Sequence, residues 1–409
     1  MTTPTPAVRD RLLAIDSAEL PAYLYDLTSL REHAAAIRAA LPQRVELYYA
    51  AKANPEAEIL AALGPYVDGY EVSSGGELAH VAKAAPGRPL AFSGPGKTPA
   101  ELTTALELGV ERFHVESLHE LRVLAALAAR TGAGAADRPV PGVLLRFNLP
   151  LAAASLEGSS LAMGGRPTPF GLDPAEADEA VRLLTDGTCP QLRLLGTHAH
   201  LASGLDAAEQ LAVAESVVAW SAGLAARHRI RLAEVNVGGG MSVDYAAPER
   251  RFDWTAYGTG LDRIARAHPD LTLRIEPGRA VSAYCGWYAT EVLDVKHSHG
   301  EEFAVVRGGT HHMRTPATKG HDQPCTVLPV SEWPHPWPRP AAAAERVTLT
   351  GQLCTPKDLL SRNVPAPGLR AGDRVAFGLA GAYAWNISHH DFLMHPRPGF
   401  HFLTPRPPA

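Results

Sequence analysis

Lys52 ends a run of apolar and aromatic residues, VELYYAAK (45–52). A lysine there either reaches water or sits in a desolvated pocket, where a lowered pKa makes its amine a nucleophile toward carbonyl compounds. Gly238, Gly239 and Gly240 follow EVNV directly. Such a triplet lets backbone N–H groups approach an anion such as phosphate; a tight strand-to-helix turn is its other use. Gly278 and Arg279, in IEPGRA, make a second anion-friendly turn. Glu276, just before that turn, has the chemistry of a metal ligand, a general base or the partner of a protonated ring nitrogen, and spacing does not choose among them. His198 and His200 lie two apart in THAH and so share one face of a strand. With no carboxylate at ligand spacing, packing or stacking on a planar ligand is favoured over zinc, and no metal site is expected. The adjacent pairs His311–His312 and His389–His390 would point to opposite faces of a strand, which suits surface or packing roles better than a shared ligand.

Holding such groups in place takes a large framework. The chain has 409 residues, 46% hydrophobic and 20% charged, enough to bury a sizeable core in two or three domains or in one large barrel with an addition. With 38 Lys+Arg against 43 Asp+Glu, the net charge of −5 gives no electrostatic footprint for nucleic acid or an anionic membrane. Cys189, Cys285, Cys325 and Cys354 form no C-x-x-C pair, so neither a disulfide framework nor a zinc knuckle is expected, and a reducing cytoplasm fits. The first twenty residues lack the pattern of a secretory signal, and the apolar stretch 211–226 carries Glu215 and is too short to span a bilayer, so no membrane segment is expected.

Between residues 28 and 280, Ala/Leu-rich helical stretches alternate with seven short β-rich runs: 45–52, 69–74, 112–117, 142–148, 194–200, 234–239 and 271–278. This repetition predicts an α/β fold, a (β/α)8 TIM barrel over 28–280, with Lys52 at the carboxyl end of the first barrel strand, where barrel enzymes keep their chemistry. From 281 to 409 the text changes to short β patterns such as GWYATEVLDVK and RVTLTGQL, which predict a second, all-β domain. The stretch 316–340 is too rich in proline for a central strand and reads as an irregular surface excursion, and the tail HPRPGFHFLTPRPPA reads as a partly extended, mobile segment or, most simply, a solvated end.

Together these motifs resemble the fold-type III pyridoxal-phosphate decarboxylases, the family of diaminopimelate and ornithine decarboxylases, whose fold is an alanine-racemase-like barrel plus a β domain. YYAAKAN is similar to the family's cofactor-lysine strand, so Lys52 would form the Schiff base with pyridoxal 5′-phosphate. In GYEVSSGGEL the resemblance implies that Glu71, Ser74 and Glu77 flank the lysine. In GTHAHLASG, His200 matches the residue that stacks on the pyridine ring and Ser203 a phosphate contact. VGGG and EPGR match phosphate-binding loops, assigning Gly238, Gly239, Gly240, Gly278 and Arg279, and Glu276 would pair with the pyridine nitrogen. GQLCTPKD resembles the catalytic-cysteine motif and GAYAWN the motif whose tyrosine, Tyr383, covers the phosphate side of the cofactor. The resemblance also implies a head-to-tail homodimer with shared active sites, Cys354 entering the partner's site, and residues 1–27 joining the β domain.

Two substitutions of residue type bear on the reaction and its substrate. Related barrel racemases place an arginine against the pyridine nitrogen; a glutamate at 276 favours the protonated ring, and so decarboxylation over racemisation. After the cysteine the diaminopimelate and ornithine enzymes carry an acid that holds a distal ammonium, whereas this chain has Thr355. RGGTHHMRTP adds Arg314 and two histidines in the family's substrate region. The expectation is decarboxylation of an amino acid whose far end is carboxylated or conjugated, such as a citryl-diamino acid of siderophore or other specialised-metabolite biosynthesis, with Arg314, Cys354, Thr355 and Tyr383 at the substrate. The alternatives are a meso-diaminopimelate decarboxylase of lysine biosynthesis, a racemase on the same cofactor, and a catalytically inactive regulatory paralogue.

Overall fold

The computed structural model describes residues 3–134, 139–150, 164–314, 316, 318 and 320–404. The chain divides into two compact units, one of residues 33–242 and 252–281, the other of residues 1–32, 243–251 and 282–409. The short segment 243–251 groups with the second unit, although the sequence pattern put it inside the barrel.

After a first strand, β1 (Ala22–Asp26), which belongs to the second unit, eight strands close a parallel barrel. They are β2 (Val45–Ala50), β3 (Gly69–Val72), β4 (Leu90–Phe92), β5 (Arg112–Val115), β6 (Gly142–Arg146), β7 (Arg193–His198), β8 (Glu234–Asn236) and β9 (Thr272–Ile275), with β9 pairing back on β2. β4 has only three residues, followed closely by Gly94, too short a run to show alternation in the sequence. Several helices between the strands start on side-chain caps, at Ser74, Ser117 and Asp253 and as capping boxes at Thr98–Glu101 and Asp206–Glu209, each taking up N–H groups left free in the first turn. The amino-terminal side of the barrel is closed by side-chain ion pairs. Arg274, fully buried, pairs with Glu46 at 2.5 Å and Glu234 at 2.9 Å, and Arg112 pairs with Glu234 at 2.9 Å. Polar groups on that side serve stability, leaving the carboxyl ends of the strands for chemistry.

The second unit is a sheet in the order β12 (Cys325–Leu328), β15 (Arg374–Phe377), β10 (Gly286–Ser298), β11 (Glu301–Val306), β13 (Arg346–Thr350), β14 (Leu359–Pro365), with β1 against β10 and β16 (Gly399–Leu403) against β1. The excursion 316–340 thus contains a strand, and its place at the sheet edge is where a proline-rich stretch can hold one. The tail is also structured up to residue 403, because Tyr23 and Tyr25 of β1 stack on Phe400 and Phe402 of β16. The unit includes a helix, Pro6–Ala14, whose Val8 and Leu12 pack with Leu24, Trp287, Leu328 and Ala376. No helix among the described residues is long and apolar enough to cross a membrane.

Candidate active site

Lys52 stands on the single 3-10 turn Ala51–Ala53 that leaves β2, and its Nζ is ion-paired with Glu71 of β3. The lysine side chain is 43% exposed while Glu71 is buried, so the amine is neither free in water nor sealed in an apolar pocket. Ser73 Oγ donates to Glu71 Oε1 at 2.8 Å, and Ser93, just past β4, donates to the same oxygen. Burial pushes the Glu71 carboxyl up, but the Lys52 charge and the hydrogen bonds from Lys52, Ser93 and Ser73 outweigh it and hold the group well below its ordinary range. Ser74 and Glu77 do other work. Ser74 caps the helix Gly75–Ala84 by accepting from the Glu77 N–H at 3.1 Å, and the Glu77 carboxylate accepts from the Ser73 N–H at 2.7 Å. The serine nearest the lysine is therefore Ser73, whose Oγ lies 3.4 Å from Nζ.

Across the lumen Glu276 follows β9 and is buried; its Oε1 accepts from Asn236 Nδ2 at 2.7 Å. His114 Nε2 lies 3.7 Å from Oε1 and His198 Nε2 3.7 Å from Oε2, with the two imidazoles 4.3 Å apart. Burial drives both histidines well below their ordinary pKa, so they are neutral. Burial, and then the charge of Glu71, raise the Glu276 carboxyl from 4.5 to about 7. Donor atoms of His114, His198 and Glu276 lie within 4.8 Å of one another, a grouping close enough to share a cation that the THAH spacing did not announce.

His198 and His200 do not share a strand face, because β7 stops at His198. His200 lies in the loop beyond, where its Nδ1 accepts from the Gly239 N–H at 3.1 Å and its Nε2 is 3.4 Å from Ser203 Oγ. Burial, with the charges of Arg146 and Lys52, lowers its pKa to about 3 and keeps the ring neutral. Gly238 and Gly240 have φ of +76° and +98°, a region that favours glycine, and a side chain on Gly239 would collide with the Glu276 carbonyl. Two of the three glycine N–H groups face side chains: Gly238 donates to Asn236 Oδ1 at 2.9 Å and Gly239 to His200. The loop is thus first a close-approach turn, with only Gly240 N–H left of the three donors expected from the sequence. Gly278 is buried and Arg279, half-buried, opens the short helix Arg279–Ser282.

The remaining expected residues belong to the second unit. Cys354 is exposed, in a loop anchored by Asp358, whose carboxylate accepts from Thr310 N–H at 2.7 Å and Leu353 N–H at 2.8 Å. Thr355 Oγ1 accepts from the Lys357 N–H at 3.3 Å, a local turn. Arg314 is exposed and its N–H donates to Ser388 Oγ at 2.9 Å. Gln352 joins these segments, accepting from the Gly308 N–H at 2.6 Å and lying 3.4 Å from His395. Tyr383 is half-buried with φ of +49°, a conformation uncommon outside glycine. His311 and His312 occupy a turn rather than a strand and are buried, His312 bridging Tyr288 OH and the Pro396 carbonyl at 3.0 Å each. His390 stacks on Trp385 at 3.6 Å, and His389 is exposed.

Sequence reasoning missed Ser93, His114 and Asn236. Ser93 follows the strand that was too short to see. His114 and Asn236 did leave a signal, each a polar residue between two apolar ones, FHV and VNV, at a position whose side chain turns into the barrel.

Residues 27–283 match the family described as pyridoxal-dependent decarboxylase, pyridoxal binding domain. The chain is 38% identical to the 2-[(L-alanin-3-ylcarbamoyl)methyl]-2-hydroxybutanedioate decarboxylase of Staphylococcus aureus, over 93% of this chain and 94% of the relative. It is 31% identical to the L-glutamyl-[BtrI acyl-carrier protein] decarboxylase of Niallia circulans, over 93% and 88%. Among solved structures, diaminopimelate decarboxylase from Helicobacter pylori complexed with L-lysine superposes with a TM-score of 0.77 at 26% identity, covering 93% of this chain and 90% of that one. Barrel, β unit and sequence agree: the chain belongs to the pyridoxal-dependent decarboxylases.

Proposed function

We propose that this decarboxylase acts on an α-amino acid whose distal end carries a carboxylated conjugate, as in a citryl-diamino acid, within siderophore or other specialised-metabolite biosynthesis. One observation carries the choice of substrate. The loop 351–358 offers no unoccupied carboxylate: its single acid, Asp358, is buried with both oxygens taken by main-chain N–H groups. It presents instead neutral Thr355 and exposed Lys357, and the turn that Asp358 ties to it ends at exposed Arg314. A distal ammonium desolvated against such a surface would lack its opposite charge, whereas a carboxylate gains donors. The Staphylococcus aureus relative, named for a conjugate of this kind, supports the reading.

The barrel residues fit pyridoxal phosphate. Lys52 supplies an amine at the strand ends, the turn at Gly238, Gly239 and Gly240 clears backbone for a phosphate, with Gly278, Arg279 and Ser203 on the neighbouring loops, and Glu276 keeps Oε2 for a ring nitrogen because Oε1 is held by Asn236. Bound there, the cofactor supplies the electron sink for cleavage of the bond to the carboxylate. The chain's own groups do the rest. Glu276, as an anion, would favour a proton on the ring nitrogen; His200, kept neutral, would pack against the ring without adding charge; Tyr383 would serve the phosphate side; and Cys354 would hold the proton delivered to the α-carbon once carbon dioxide has left. The reading includes a homodimer in the cytoplasm, Cys354 of one protomer completing the other's site; exposed Ile387, Phe392, Leu393 and Met394 and four unpaired cysteines support it.

The test is carbon dioxide release from a panel of citryl-diamino acids, free diaminopimelate, ornithine and lysine. Turnover of the conjugates at kcat/KM at least about a hundredfold above the free diamino acids is expected. Robust turnover of diaminopimelate alone would return the chain to lysine synthesis.

A further inference from the structure

Asn236 ends β8 with its side chain fully buried; it lies 3.5 Å from His114 Nε2 and makes shorter bonds to two other groups at once. Its Nδ2 donates to Glu276 Oε1 at 2.7 Å, and its Oδ1 accepts from the Gly238 N–H at 2.9 Å. The main chain repeats the connection, since the Glu276 N–H donates to the Gly238 carbonyl at 2.8 Å. We propose that Asn236 is a positioning residue that sets the carboxylate of Glu276 and the glycine turn as one unit, saturating Oε1 so that Oε2 is the oxygen presented to the cofactor ring. The proposal rests on the reading of Glu276 as the ring-nitrogen partner.

The amide suits this task because it is neutral. A hydrogen bond to a carboxylate favours its ionised form, and an amide gives one without a titratable group of its own. The groups facing Glu276 from the other elements are Glu71 on β3, His114 on β5, His198 on β7, Arg274 on β9 and Lys52 after β2. Both histidines lie at 3.7 Å, too far to hydrogen-bond, and Glu71 opposes ionisation. The short bond from Asn236 is thus the contact that fixes the orientation of the carboxylate while favouring its charge.

Asn236→Asp separates the two bonds. It keeps the shape and an acceptor for Gly238, but loses the N–H and sets a second carboxylate against Glu276. In the purified holoenzyme the midpoint of the pH-dependent change in cofactor absorbance should move by at least about one pH unit, cofactor release should quicken about tenfold, and kcat should fall while KM stays within about threefold. Asn236→Ser, with a hydroxyl too short to bridge both partners, should release cofactor at least about fivefold faster, which keeps the proposal testable if the aspartate variant fails to fold. The double variant Asn236→Asp with Glu276→Gln reverses donor and acceptor and should restore slow cofactor release without restoring kcat. Wild-type midpoint and release rate in Asn236→Asp, or in Asn236→Ser where that is the variant that folds, would overturn the proposal. The single variant Glu276→Gln separates the premises: if it leaves the absorbance profile unchanged the reading of Glu276 fails, and if it alone shifts the profile only the role of Asn236 fails.

Discussion

Glu71 and Glu276 face one buried lumen from β3 and the end of β9, and they are driven apart in pKa. Lys52 and the hydroxyls of Ser73 and Ser93 overcome burial at Glu71 and hold it ionised, and its fixed charge then adds to the burial that raises Glu276 to about 7. Two carboxylates in one site thus divide the labour: one anchors the amine, and the other can gain or lose a proton near neutrality.

That division predicts a pH signature in the cofactor-free protein. Glu276 titrates near 4.5 when unfolded and about 7 when folded, so between those values the native state binds the extra proton. Its contribution to stability is fully present below pH 4.5, declines as pH rises and is gone above about 7. Thermal unfolding of apoprotein from pH 5 to 7.5 should show this loss, on the order of 1–3 kcal/mol, and Glu276→Gln should flatten it. An identical slope in the variant would assign the titration to another group.

Gly239→Ala tests the glycine turn without touching a charge. The added methyl would meet the Glu276 carbonyl and the neighbouring proline, which are main-chain atoms and cannot swing away. Either Glu276 or the turn must move. A loss of about 1–3 kcal/mol in stability and at least about tenfold in cofactor affinity is expected, read by thermal unfolding and by titration of apoprotein with pyridoxal phosphate. Unchanged affinity would show that the turn does not set the cofactor's place.

The architecture was legible wherever a strand was long enough to alternate. Seven barrel strands lie in runs of four or more residues of β pattern in the sequence, β8 among them although only Glu234–Asn236 is strand, and the three residues of β4 lie in no such run. Lys52 and Glu276 could be singled out because each ends such a run, whereas the serine beside Lys52, Ser73, could not be told from Ser74 by spacing alone; only the helix cap at Ser74 distinguishes them. The glycine triplet announced a turn but not that two of its N–H groups are taken by Asn236 and His200, because those partners come from β8 itself and from the loop after β7. The tail could be read as partly extended but its strand could not be placed, because Gly399–Leu403 finds its edge on β1, from the opposite end of the chain.

Thr355→Asp tests the charge reading of the substrate loop. The new carboxylate would stand beside exposed Lys357 on a loop whose native acid is already occupied. Opposed to an anionic distal group it should lower kcat/KM for a citryl-diamino acid at least about tenfold, while turnover of ornithine or diaminopimelate rises. The ratio of the two substrates is the measure, since a general disturbance of the loop would depress both. A variant that keeps the wild-type ratio would remove Thr355 from substrate choice.

Mixing two inactive proteins tests whether the site is shared between protomers. On the proposed reading Lys52→Ala would remove the cofactor amine and Cys354→Ala the proton donor of a homodimer, and each variant alone should be inactive, the first also losing the cofactor absorbance band. If Cys354 acts in the partner's site, a heterodimer of the two variants has one site with both defects and one with neither. Random reassociation of equal amounts then restores about a quarter of wild-type activity, because half the dimers are mixed and each carries one intact site of two. If lysine and cysteine served the same site from one chain, every site in the mixture would lack one of them and activity would stay at the level of the separate variants. Carbon dioxide release before and after the subunits are dissociated and rejoined distinguishes the two arrangements.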